Sequence, residues 1–199
     1  MNILIAGATG NTGLRLADEL AKRGHTPIAM VRDSSDTSGL PDAAVQRKAD
    51  LTDLDRSVTE GCDTVVFAAG SGGDTSAEMT DKVDRDGAIR LIEIAEQTGV
   101  KRFVMLSSVG ADDPPEDSDL KHYLEAKHAA DERLMKSDMD YAILRPVSLT
   151  DDGPTGNVLL GDDVDPGAKA TRGDVAMVLA DAVEQDEWTG RVALMQTAD

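Results

Sequence analysis

The sequence has few of the side chains on which disulfide-rich and metal-binding proteins depend. Its 199 residues include one cysteine, Cys62, and three histidines. A single cysteine excludes an intramolecular disulfide framework and a thiolate-rich metal site, and the histidines lack metal-motif spacing. We therefore predict no metal site and a reducing, cytoplasmic location. We interpret Cys62 as a small apolar residue before a strand, with a reactive thiol as the alternative.

Long apolar runs and basic residues are also scarce. No stretch approaches the roughly 20 apolar residues of a membrane span, and residues 1–7 are typical of a strand entering a glycine turn, not of a signal peptide. Lys and Arg number 20 against 38 Asp and Glu, which gives a formal net charge of -18. Such a surface repels nucleic acid and anionic membranes, so we predict neither as a partner. It also favours an acidic, halophilic surface, with an ordinary acidic protein as the alternative.

What the sequence does contain is an alternation of strand and helix patterns. Aromatic residues are only 3% of the chain and hydrophobic residues 40%, so the core must be mainly aliphatic. Apolar runs predict strands over 2–6, 26–31, 44–49, 64–68, 102–106, 141–144, 158–160 and 191–195. Helical spacing predicts helices over 10–23, 52–60, 78–98, 119–137 and 174–184, with a glycine-rich loop over 71–75. This alternation predicts an α/β fold, a doubly wound parallel sheet in three layers.

A glycine loop joins the first strand to the first helix. Gly7, Gly10 and Gly13 are spaced three residues apart, which permits a tight turn, close approach of the backbone to a pyrophosphate and tight helix–strand packing. The helix N-terminus then offers free N–H groups to phosphate. We predict a Rossmann fold that binds NAD(P), with a purely structural turn as the alternative. Residues 1–199 are predicted to form one domain, with 146–199 a small region on the substrate side.

Residues at the ends of the second, third and fourth predicted strands indicate which cofactor binds. Val31 stands where NAD-binding proteins usually place an acid, and Arg32 follows with a guanidinium suited to a 2′-phosphate. Asp33 is a competing signal for NAD. Asp50 either accepts from the adenine amino group or caps a helix, and the small residues 68–70 let the backbone pass close to a ribose. We predict NADP, with NAD as the alternative.

The motifs together resemble a known family, the atypical short-chain dehydrogenase/reductases, which include NmrA-like and biliverdin/flavin reductase-like proteins. The similarity lies in GATGNTG at 7–13, GVKRFVMLSSVGA at 99–111, YLEAK at 123–127 and LRP at 144–146. It implies an NAD(P)-binding Rossmann fold. Combined with the glycine loop and the small residues of the fourth strand, it predicts cofactor contacts at Gly7, Thr9, Gly10, Asn11, Thr12, Gly13, Arg32, Asp50, Leu51, Ala68, Ala69, Gly70, Ser107, Lys127 and Pro146.

The resemblance also implies a catalytic set. Tyr123 would protonate the substrate oxygen, Lys127 would favour the phenolate and hold the nicotinamide ribose, and Ser108 would orient the substrate while Ser107 contacts the cofactor. Tyr and Lys four residues apart share one helix face. In the alternative, Tyr123 only packs and Lys127 is solvated or holds ribose alone. Asp84 departs from the asparagine of many extended relatives, so nothing at that position supports their proton relay.

Two main interpretations of function remain. The first is an NADPH-dependent reductase of a small carbonyl, quinone or flavin-like acceptor, acting as a monomer or homodimer. The second is an NAD(P)-binding redox sensor or regulatory protein with little turnover. A weaker third is a nucleotide-sugar epimerase or dehydratase, which the short region after residue 145 disfavours. The resemblance does not select a substrate.

Overall fold

A central sheet organises the protein in a computed structural model that describes residues 1–71 and 76–198. In the described residues its strand order is β3-β2-β1-β4-β5-β6-β10-β8, and every neighbouring pair is parallel except β10 and β8. The strands are β1 Asn2–Ala6, β2 Thr26–Val31, β3 Val45–Lys48, β4 Thr64–Phe67, β5 Arg102–Leu106, β6 Asp140–Pro146, β8 Val158–Leu160 and β10 Arg191–Thr197. The first six follow the Rossmann order 3-2-1-4-5-6.

Both faces of this sheet are covered by helices. Side chains alternate along a strand, so Ile3 and Ile5 enter the core beneath one helical layer while Leu4 and Ala6 enter the other. The first core contains α1 Asn11–Lys22 and α5 Arg172–Glu184, and the second contains α3 Ala88–Thr98 and α4 Lys121–Met135. The predicted three-layer, doubly wound fold is confirmed. None of the helices in the described part of the chain is long and apolar enough to cross a membrane.

The helix predicted over 78–98 is broken into three pieces. A short α-helical turn, α2 Ala77–Thr80, is capped by the Ser76 hydroxyl and continues as a π-helical segment over Asp81–Gly87 before α3. The wider π turn leaves Asp84 fully buried. Of the glycine-rich loop predicted over 71–75, residues 72–75 lie outside the described residues.

The helix predicted over 52–60 is wrong. The Asp50 carboxylate accepts hydrogen bonds from the backbone N–H and the hydroxyl of Thr52, at 2.9 and 2.7 Å. This local turn competes with helix formation, and only a 3₁₀ turn forms, at Arg56–Thr59, with Asp55 rather than Thr52 as its cap. The chain therefore passes from β3 to β4 largely as a loop.

The C-terminal region adds a second, two-stranded parallel sheet that the sequence did not predict. It pairs β7 Ser148–Thr150 with β9 Lys169–Thr171. The buried Asp174 carboxylate fixes this region, because it accepts from the backbone N–H groups of Thr155 and Gly156 and from three threonine hydroxyls. The sheet and the start of α5 lie beside the carboxyl end of the central sheet.

Candidate active site

A groove crosses the carboxyl ends of the central strands. It consists of two adjoining cavities of about 280 and 610 Å³, which share Gly10 and the backbone of 68–70 as common walls. The smaller cavity, here called the inner cavity, lies between β1, β2 and β4. The larger one, the outer cavity, lies between the start of α1, the end of β5 and α4. Open α/β sheets bind ligands at this edge.

The glycine loop leaves no room for side chains at two of its positions. Gly7 has a φ of +85°, and a Cβ on it would lie 2.6 Å from the Ala69 backbone. A Cβ on Gly13 would lie 2.0 Å from the Gly7 carbonyl oxygen. The helix α1 then begins after Gly10 with no side-chain cap, which leaves its first N–H groups available to an anion. These features fit the pyrophosphate of a dinucleotide.

Most predicted cofactor contacts lie in the groove. The inner cavity is lined by Gly7, Thr9, Gly10, Arg32, Asp50, Leu51, Ala68, Ala69 and Gly70, together with Ser35, Met79 and Val83. The outer cavity is lined by Gly10, Asn11, Thr12, Ser107 and Lys127 among others. Two of the predicted contacts do not line either cavity: Gly13 packs under the loop, and Pro146 is buried at the end of β6.

The two charged residues after β2 have different surroundings. Arg32 is exposed and lines the inner cavity, and its backbone N–H donates to the Ser35 hydroxyl at 3.0 Å. Asp33 instead forms an ion pair with Lys48 of β3 and does not line the groove. Asp50 lies beside Arg32 in the inner cavity, where hydrogen bonds from Thr52 hold the pKa of its carboxyl below the usual range.

Tyr123 and Lys127 lie on the first turns of α4 and both line the outer cavity. The Lys127 ammonium stands 5.6 Å from the centre of the Tyr123 ring and 5.5 Å from that of Phe67. It is buried, 3.1 Å from a carboxylate oxygen of Asp84, and donates to the carbonyl oxygen of Ala69 at 3.3 Å. The ammonium is therefore held at a fixed point beneath the phenol.

The charge of Lys127 is supported by its neighbours. Burial by itself disfavours an ammonium ion. The electrostatic influence of Tyr123 and of the Asp84 carboxylate outweighs this effect, so the pKa of Lys127 lies above its ordinary value. Asp84 is in turn held by the backbone N–H of Ser71, which donates to its other oxygen at 2.9 Å.

Of the two serines at the end of β5, the cavity contains Ser107. The Ser107 hydroxyl is buried and donates to Asp131 at 2.8 Å. Arg145 donates to the same carboxylate oxygen through Nε at 3.1 Å and lies 3.0 Å from it through Nη2. Ser108, predicted to orient the substrate, is not among the described residues that line the cavity, and its hydroxyl donates to the Val109 carbonyl oxygen.

Sequence reasoning missed three charged contributors: Asp84, Asp131 and Arg172. The sequence marks Asp84 only as a departure from the asparagine of many extended relatives. Asp131 lies four residues after Lys127, so the same helix periodicity that paired Tyr123 with Lys127 would have placed it on their face. Arg172 lines the outer cavity from the start of α5, and no local signal places it there.

The proteins that this chain resembles support NAD(P) binding in the groove. A family model described as NAD(P)H-binding matches residues 7–186. A Bacillus subtilis protein named as an uncharacterized sugar epimerase is 35% identical over 199 residues, which covers 96% of this chain and 92% of the relative.

Two solved structures are similar over the whole chain. One, from Bacillus halodurans, is provisionally named as an NAD-dependent epimerase/dehydratase; it is 38% identical, with a TM-score of 0.94 and 95% of that chain covered. An oxidoreductase from Lactococcus lactis is 31% identical, with a TM-score of 0.88 and 92% covered. The resemblance to atypical short-chain dehydrogenase/reductases is confirmed, and this chain belongs to the NAD(P)H-binding family.

Proposed function

We propose that the protein is an NADPH-dependent reductase of a small carbonyl, quinone or flavin-like acceptor. The observation that carries this proposal is the meeting of Tyr123, Lys127 and Ser107 in one cavity that adjoins the glycine loop. NADPH, when bound, supplies a hydride, and the acceptor gains that hydride and one proton, which together are two electrons and two protons. The residues of the chain supply position, charge and the proton.

The arrangement around β2 supports the preference for NADPH. Arg32 lines the inner cavity, where a 2′-phosphate can accept two hydrogen bonds from its guanidinium. The competing acid, Asp33, is paired with Lys48 outside the groove. An arginine in the groove and an acid outside it favour a phosphorylated ribose over a free 2′-hydroxyl.

Tyr123 is the proton donor in this mechanism. Its phenol donates a proton to the acceptor oxygen, and the Lys127 ammonium stabilises the phenolate that forms. Asp84 is a positioning residue, since it holds Lys127 beneath the phenol without lining the cavity itself. Because the Ser107 hydroxyl donates its hydrogen bond to Asp131, its oxygen can accept a hydrogen bond from a hydroxyl of the nicotinamide ribose.

The first test is a calorimetric titration with NADPH and NADH, followed by NADPH oxidation against quinones, flavins and aldehydes. We expect tighter binding of NADPH and turnover of at least one acceptor. Tyr123→Phe should lower kcat about 10²-fold or more with little change in NADPH affinity. Tyr141→Phe, at the opposite end of the sheet, is the matched control and should leave kcat unchanged. Normal turnover by Tyr123→Phe would refute the proton-transfer role.

A second candidate is nucleotide-sugar epimerisation, which the name of the Bacillus subtilis relative favours. The same tyrosine would then exchange a proton with a sugar hydroxyl. The described residues 147–198 form strands of three to seven residues, α5 and a 3₁₀ turn, which offer little surface for a nucleotide, so we place this reaction second. Turnover of a nucleotide sugar in the same panel would reverse the order, and tight NADPH binding without any turnover would favour a redox sensor.

A further inference from the structure

Two arginines converge on one aspartate beside the outer cavity. Arg172, the first residue of α5, lines the cavity, and its Nη1 lies 3.1 Å from an Asp151 carboxylate oxygen. Arg15 of α1 lies 3.7 Å from the same oxygen and donates to the Asp151 carbonyl oxygen at 3.2 Å. Its other nitrogen donates to the Asn11 carbonyl oxygen at 2.7 Å, which ties the group to the glycine loop.

Positive charges outnumber negative charges in this group of three side chains. Among the described residues, Asp151 supplies the only carboxylate within 4 Å of either guanidinium, so two positive charges share one negative charge. A local surplus of positive charge is unexpected in a chain with 38 acidic and 20 basic residues. The remaining titratable residues that line the cavity are Asp119, His122, Tyr123 and Lys127, and Lys127 is already paired with Asp84.

The three side chains differ in solvent exposure. The Arg172 and Arg15 side chains are 23% and 35% exposed, whereas the Asp151 side chain is 62% exposed. Asp151 therefore contacts Arg172 from the solvent side, where screening makes the ion pair weak. An anion within the cavity has access to the remaining guanidinium donors of Arg172 and meets a more enclosed environment than Asp151 does.

Part of the wall is apolar. Leu106, Leu120 and Leu149 line the same cavity as Arg172 and the Tyr123–Lys127 pair, and Leu120 is 59% exposed. A conjugated ring system can lie against these side chains with its reducible atoms near Tyr123. An anionic substituent on such a ring can then reach Arg172, which lines the same cavity.

We propose that Arg172 is a substrate-binding residue that selects acceptors carrying an anionic group, a carboxylate or a phosphate. This inference rests on the proposed reductase function, because it assigns a specificity to the same cavity. The planar guanidinium binds either anion through paired hydrogen bonds. When the anion replaces Asp151 as the partner of Arg172, Arg15 still binds Asp151 and keeps it in place.

The test uses two flavins that differ only by a phosphate, riboflavin and FMN. The ratio of kcat/KM for FMN to that for riboflavin is measured with NADPH, and the ratio of the two Kd values is measured by flavin fluorescence quenching with NADP⁺ bound. We expect the wild-type protein to favour FMN about tenfold or more in both ratios, as expected for a charge-assisted hydrogen bond. Arg172→Gln should reduce both ratios to about 1. Arg133→Gln, which removes an arginine of similar exposure paired with Glu96, should leave both unchanged.

A second variant guards against misfolding of Arg172→Gln. Asp151→Asn removes the carboxylate that competes for Arg172 and should raise the preference for FMN, a change opposite in sign to that of Arg172→Gln. Equal use of the two flavins by the wild-type protein, a preference that survives Arg172→Gln, or no increase with Asp151→Asn would overturn the proposal. Absence of turnover with every acceptor counts against the reductase function alone, since the binding ratio still tests Arg172.

Discussion

Replacing Asp84 by asparagine removes the charge that faces the Lys127 ammonium and keeps an oxygen that can accept from the Ser71 N–H. Both side chains are buried, and the charged atoms are 3.1 Å apart. With an effective dielectric constant of about 20, their attraction is about 5 kcal/mol. The Ala69 carbonyl oxygen still accepts from Lys127 in the variant. We therefore expect Asp84→Asn to lower the free energy of unfolding by about 3 kcal/mol at pH 7, near the lower end for a broken buried ion pair.

The same substitution should change how stability depends on pH. In the wild-type protein the pKa of Lys127 is raised, so its contribution is complete below the ordinary lysine pKa of about 10.4 and is lost as pH rises through the folded-state pKa. In the variant, burial still disfavours the ammonium while only Tyr123 and Asp131 favour it, so the pKa of Lys127 falls from its wild-type value. The folded variant then loses this proton at a lower pH than the folded wild type, so the stability deficit of the variant should shrink as pH rises.

Urea unfolding at several pH values measures both effects. The double variant Asp84→Asn with Lys127→Met should recover part of the loss, with a coupling energy of about 2 kcal/mol in the double-mutant cycle. Glu78→Gln breaks an exposed pair with Lys82 in the same segment and should leave stability unchanged. A loss below about 1 kcal/mol for Asp84→Asn, or a stability deficit that does not shrink as pH rises, would show that Lys127 is not a buried ammonium ion.

Four further predictions concern the cofactor site and stability. Gly13→Ala should lower Tm and abolish NADPH binding in calorimetry, because its Cβ would lie 2.0 Å from the Gly7 carbonyl oxygen; wild-type binding would contradict this. Arg32→Gln should weaken NADPH binding about tenfold or more and leave NADH within about twofold; equal losses would refute the 2′-phosphate role. Burial disfavours the Asp174 carboxylate, but its hydrogen bonds, that from the Gly156 N–H first, lower its pKa. Asp174→Asn should therefore cost about 2 kcal/mol at neutral pH, and urea unfolding should show a shallower loss of stability below pH 4 than in the wild type. Raising KCl from 0.1 to 2 M should raise Tm, since salt screens a formal net charge of -18; an unchanged Tm would count against an adapted acidic surface.

The features that the sequence predicted well depend on nearby residues. Apolar runs gave the strands, and glycines at fixed spacing gave the turn into α1, because neighbouring residues impose both. The helix predicted over 52–60 failed because Asp50 forms a side-chain turn with Thr52, an alternative that periodicity does not detect. The β7–β9 pair was missed because the residues that pair in it are 21 positions apart in the chain.

In the site, too, contacts within one element could be predicted and contacts between distant elements could not. Tyr123 and Lys127 share one helix, so their spacing alone predicted that they meet. The choice between Ser107 and Ser108 depended on which hydroxyl turns toward α4, and Asp131 decides it in favour of Ser107. Arg172 reaches the outer cavity only because α5 packs beside α1, which no local pattern indicates.

The solvent exposure of each ion pair in the groove indicates its role. The pairs of Lys127 with Asp84 and of Arg145 with Asp131 have side chains at most 8% exposed, so neither partner can leave without a large cost in free energy. Such pairs fix position: one holds the ammonium beneath Tyr123, and the other holds the Ser107 hydroxyl. The pair of Arg172 with Asp151 has an exposed carboxylate that water can solvate when an anion replaces it. Rigid pairs beside Tyr123 and Ser107 and an exchangeable pair at Arg172 are what a reductase needs if it is to fix its proton donor and still select an anionic acceptor.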